Sequence, residues 1–86
     1  MYSEESLFFE ELDTLSYDVQ YQLNKIKATP EELADFYNEE GVRQFYKNKN
    51  RSKARAYFWY SWKLGNEHAH MNYINSAIVY RWNKEL

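Results

Sequence analysis

The chain has no cysteine, one proline and two glycines among its 86 residues. Without cysteine there is no disulfide, no thiolate metal site and no thiol nucleophile. A small domain lacking such staples commonly gains its margin by self-association, so a homodimer is expected. Two isolated glycines, Gly41 and Gly65, exclude the glycine-rich loop that cradles phosphates. No apolar run approaches the roughly 18 residues of a membrane span, and the acidic start MYSEES lacks the basic region of a signal peptide. The expectation is a cytoplasmic protein, a reducing setting that the absence of cysteine fits.

Chemistry-bearing patterns are equally scarce. His68 and His70 are the only histidines. At i and i+2 they leave a helix on different sides, unlike the i, i+4 pair that shares a metal. Glu4-Glu5, Glu10-Glu11, Glu31-Glu32 and Glu39-Glu40 are adjacent pairs, which a helix splays apart. They read as solvated faces and cap charges rather than acid–base partners. The sequence therefore points to a protein that is not an enzyme, with no metal or cofactor.

What the chain does have is aromatic surface and a split of charge. Nine Tyr, five Phe and three Trp make up a fifth of the residues. Residues 1–40 hold eleven carboxylates against two lysines, whereas residues 41–86 hold nine Lys or Arg against two Glu. Opposite ends of this kind can fold on each other, join two copies or meet a charged partner. The acids Glu4, Glu5, Glu10, Glu11, Asp13 and Asp18 also lie in a row that imitates a phosphate backbone. Such mimicry calls for a wholly negative surface, and only half of this chain is negative.

The periodicity predicts one all-α domain over residues 1–86: a small bundle with a long N-terminal helix, two short helices and a C-terminal helical hairpin. Ser3 is the expected cap of the first helix, and Phe8, Leu12, Leu15, Val19, Leu23 and Ile26 form its apolar stripe. A break near Asp13-Thr14 is open. TPEEL supplies the second start, with Thr29 as cap, Pro30 in the first turn and Glu32 completing a capping box. Gly41 is read as a stop, giving helices 30–40 and 42–48. After the polar loop KNKNRS, Asn50 or Ser52 caps a helix that ends at Gly65. Asn66 then caps a last helix with Met71, Ile74, Ile78 and Trp82 on one stripe, antiparallel to the helix before it.

The stretch ARAYFWYSWKLG puts five aromatic side chains into six positions. On a helix Tyr57, Tyr60 and Leu64 take one side, while Phe58, Trp59 and Trp62 take the other with Arg51 and Arg55. A chain that buries only about 60–65% of its unfolded surface has little depth in which to enclose such a helix. The second face is therefore expected to meet another protein, through Phe58, Trp59, Trp62 and Arg55, with Tyr80 and Trp82 beside them. The alternative is a small nucleic-acid-binding regulator that uses Arg43, Lys47, Lys49, Arg51, Lys53 and Arg55 on phosphates. A further alternative closes the rings into the core under the arginine stems. Asn, Lys, Ile, Tyr and Phe together make 32 of the 86 residues, as an AT-rich genome would encode. Small cysteine-free chains of this composition are frequent in phages and mobile elements. The expected function is accordingly a phage-type inhibitor that binds a host (defence) protein.

Overall fold

The computed structural model describes residues 4–85, with their side chains described over residues 5–77. Within them the chain forms four α-helices and no strand: α1 (Glu4–Tyr21), α2 (Pro30–Tyr46), α3 (Arg51–Lys63) and α4 (Glu67–Glu85). The all-α bundle with a long first helix is the architecture that the periodicity predicts. The expected cap Ser3 lies outside the described residues.

The α1 stripe works as its spacing requires: Phe8, Leu15 and Val19 are buried, with Leu12 and Leu23 packed against them. Thr14 does not break the helix, because its hydroxyl donates to the Glu10 carbonyl at 3.1 Å. The helix instead ends in a wide π-helical turn over Gln22–Ile26, closed by Lys27 in the left-handed region at φ 63°. The N–H groups of Lys27 and Ala28 both reach the Gln22 carbonyl. The wider turn carries Ile26 off the stripe, and its side chain is exposed.

Thr29 caps α2, accepting from the Glu32 N–H at 3.1 Å and donating its hydroxyl to the Glu32 carboxylate at 2.9 Å. Gly41 does not stop this helix, so the two short helices expected around it are one continuous helix through Tyr46. Gly41 is buried because the Phe58 ring lies on its backbone. A Cβ at this position would stand 2.5 Å from Phe58 Cε1 and 2.6 Å from Cδ1. The residue is a point of close approach rather than a terminus.

Asn50 caps α3 through its side-chain oxygen and the Lys53 N–H. At the other end the N–H of Gly65 bonds the Trp62 carbonyl and that of Asn66 bonds Ser61. With Gly65 at φ +117°, this is a Schellman closure that leads straight into the Asn66 cap of α4. α4 therefore runs back along α3, as the hairpin reading expects. Its packing side differs from the expected stripe: Ala69 and Ser76 are buried, Tyr73 packs on the core, and Met71 is exposed. Small residues at the contact let the helices approach closely, which a row of large side chains would prevent. The side chains of Ile78 and Trp82 lie outside the described residues.

Candidate functional site

Packing decides the fate of the aromatic run. α3 lies between α1, α2 and α4 and touches all three. Ser52, Ala54, Ala56, Phe58 and Ser61 are buried, and Lys63 is the one exposed residue of α3. Ala and Ser supply the closest approaches, one of them a hydrogen bond from the Ser61 hydroxyl to the Ala34 carbonyl of α2. The expected inner residues Tyr57, Tyr60 and Leu64 do pack on the core.

Phe58 was expected at a contact with another protein, and here the structure corrects the sequence reading. Its ring is 3% exposed, lodged between α2 and α4. The bundle encloses this helix by surrounding it with three neighbours, so little depth is needed. Trp59 and Trp62 are half-buried and share a cation, with Lys63 Nζ 5.4 Å and 4.3 Å from their rings. Trp62 also stacks on His70 at 4.2 Å, so the two histidines do part company, with His68 in solvent. The side chains of Tyr80 and Trp82 lie outside the described residues.

The six basic candidates for phosphate contact have different surroundings. Arg43 pairs with Glu40 at 2.6 Å. Arg55 lies over Phe8 and Tyr73, its guanidinium carbon 4.4 Å and 5.7 Å from the rings. Its Nε is enclosed with no hydrogen-bond acceptor among the described residues, so ring faces serve as its partner. Lys53 lines a furrow beside Glu11 and Asp18. Lys47, Lys49 and Arg51 gather at the α2–α3 turn, where Phe45 and Tyr46 help line an open depression.

The free apolar surface lies elsewhere. Outside the buried stripe, α1 exposes Leu7, Phe9, Tyr17 and Tyr21, with Phe9 61% and Tyr17 79% accessible. Glu5, Glu10 and Asp13 stand among them in solvent, and α1 has no basic residue. Beside this face a furrow of about 390 Å³ runs between α1 and α3. Glu11, Thr14 and Asp18 line it from α1, Lys53 and Tyr57 from α3, and Phe36 from α2. Phe36 is 52% exposed and also borders a second depression of about 360 Å³, next to Glu32 and Leu33.

One polar contact ties the furrow to the core. Tyr37 is fully enclosed, and its hydroxyl donates to the Asp18 carboxylate. Burial chiefly, then the Asp18 hydrogen bond and charge, holds this phenol well above the ordinary tyrosine range. Tyr57, whose ring is 5.5 Å from that of Tyr37, is also pushed up, by burial and by the carboxylates of Glu40, Asp18 and Glu11. A phenol with a raised pKa in the folded state keeps its proton after the unfolded chain has lost it. Its stabilisation is complete below about pH 10 and is lost as pH climbs towards the folded value. Urea midpoints should therefore fall steeply above about pH 10, and Tyr37→Phe should flatten that slope. The same variant should lose about 1 kcal/mol at neutral pH with the hydrogen bond. A slope unchanged by the substitution would refute the assignment.

No protein-family model matches this chain, and the searches of curated proteins and of solved structures found no similar protein. Among the described residues no helix is apolar enough to cross a membrane, and no group of three or more His, Asp or Glu is placed to hold a metal ion. The sequence reading missed Phe9, Tyr17, Tyr21 and Phe36 as surface residues. The signal for the first three was present, since they fall outside the 8-12-15-19 stripe on a helix whose core face that stripe already fills.

Proposed function

We propose that this chain is a non-catalytic binding protein that docks on another protein through the acidic, aromatic side of α1. The observation that supports it is the exposure of Phe9, Tyr17 and Tyr21 on an acidic helix without a basic residue, on a bundle whose core is filled without them. Exposed rings along a helix whose core stripe is already filled are the kind of surface that partners cover. Tyr and Phe leave water at small entropic cost, and acid around them sets orientation. Inhibition of a host protein by a phage-type accessory chain in the host cytoplasm is the setting this reading favours. A homodimer is a second form of the protein-binding reading.

The test is capture from a bacterial lysate on immobilised wild type, Phe9→Ser/Tyr17→Ser and Trp59→Ala/Trp62→Ala, with helicity checked for each. The partner should be retained by wild type and by the tryptophan pair and lost by the α1 pair. Retention by the α1 pair would contradict the reading. The nucleic-acid alternative keeps one supporting feature, the cluster of Lys47, Lys49 and Arg51 beside exposed Tyr46. It requires oligonucleotide affinity that falls steeply between two salt concentrations. Absence of binding at low salt would remove it.

A further inference from the structure

We infer that the furrow between α1 and α3 receives a basic amphipathic helix of the partner protein. The inference rests on the protein-binding reading above and gives that partner a chemistry. The furrow is elongated: one wall runs from Glu11 in α1 to Gln22 at the start of the π-helical turn, about 16 Å at the helical rise, or three turns of a docked helix. Its floor is apolar, with Leu15 and Ala56 at the base, and the small Ala56 side chain leaves the space that a larger residue would fill. The half-exposed Phe36 ring divides it from the depression beside Leu33, so an apolar side chain can settle on either flank of that ring.

Charge selects among apolar helices. Glu11 and Asp18 stand two turns apart on the α1 wall, and Glu32 stands beyond Phe36. Among the described residues that line the furrow and the depression beside it, Lys53 is the one cation. Asp18 spends one oxygen on Tyr37 and is itself exposed, which leaves the other oxygen for an incoming donor. A helix with lysine or arginine on its flanks and leucine-like residues at its centre satisfies floor and rim together. An acidic helix of the same shape is repelled.

The probe is a helical peptide with leucine on one face and lysine on the other, titrated into the isotope-labelled full chain and followed by amide chemical shifts. Its counterpart with glutamate in place of lysine is the control. Saturable shifts should be largest at Leu15, Asp18, Gln22, Phe36 and 53–57, with Phe9 unmoved and no response to the glutamate peptide. Glu11→Lys should weaken the affinity at least about tenfold, and Glu11→Gln by less. Phe36→Ser should weaken it with α1 helicity retained. Shifts centred on Phe9 and Tyr17 would overturn the furrow while leaving the protein-binding reading intact. Equal binding of both peptides would overturn the charge requirement. Failure of both peptides to bind, with lysate capture persisting, would likewise overturn the furrow and leave the broader reading intact.

Discussion

Phe58→Ala should lower the unfolding free energy by about 3–5 kcal/mol, the cost of deleting a buried phenyl ring and leaving its cavity. Small domains hold only about 5–15 kcal/mol in all, so the variant should keep little margin at room temperature. The magnitude follows from position: the ring is almost wholly enclosed between the backbone of Gly41 and the α4 face that carries Asn72 and Ser76. Urea unfolding at unchanged slope reads the loss directly. Met71→Ala, at an exposed position that the sequence placed on the apolar stripe of the last helix, should change stability by no more than about 0.5 kcal/mol. The pair of results separates the two arrangements, because a solvent-facing Phe58 and a buried Met71 would reverse the order.

Substitutions at Gly41 carry the second large effect, and here the sign is informative. In an isolated helix alanine is better than glycine by about 1 kcal/mol, so a glycine that merely interrupts a helix should be improved by Gly41→Ala. Against the Phe58 ring the added Cβ meets atoms at 2.5 and 2.6 Å, well inside contact distance. Overpacking of this kind costs about 1–3 kcal/mol, and a β-branched side chain costs more. Gly41→Ala should therefore destabilise by about 1 kcal/mol net, and Gly41→Val by about 3 kcal/mol. Combining Gly41→Ala with Phe58→Leu, which withdraws the ring atoms, should lose less than the sum of the two single changes. A stabilising Gly41→Ala would show that Phe58 does not lie there.

These two residues also mark where sequence legibility ends. Helix starts were readable because each rests on a local hydrogen bond made by a particular side chain: Thr29 to Glu32, Asn50 to Lys53 and Asn66 to Ala69. The Gly65 stop was readable for the same reason, since a left-handed residue there strongly favours glycine. Gly41 was misread because close approach of a ring from a residue 17 positions away leaves no local trace. The faces of α3 were hidden by composition. When Tyr57, Phe58, Trp59, Tyr60 and Trp62 surround a helix, hydropathy no longer distinguishes inside from outside. The informative residues were the small ones, Ser52, Ala54, Ala56 and Ser61, which stand where other helices come nearest.

The surface proposed for binding was legible only by subtraction. The α1 stripe told which rings go inside, and Phe9, Tyr17 and Tyr21 are the remainder. The furrow was not legible at all, since Glu11, Phe36 and Lys53 come from three helices and meet only in the folded bundle.

The central claim is that α3 is enclosed by α1, α2 and α4 of its own chain. Amide hydrogen exchange over residues 54–61, followed across a dilution series verified by mass in solution, tests it most directly. The account predicts protection of these amides up to the global unfolding free energy, unchanged on dilution to the monomer. Protection that disappears as the chain is diluted would show that a second copy completes the shell around α3, and would contradict it.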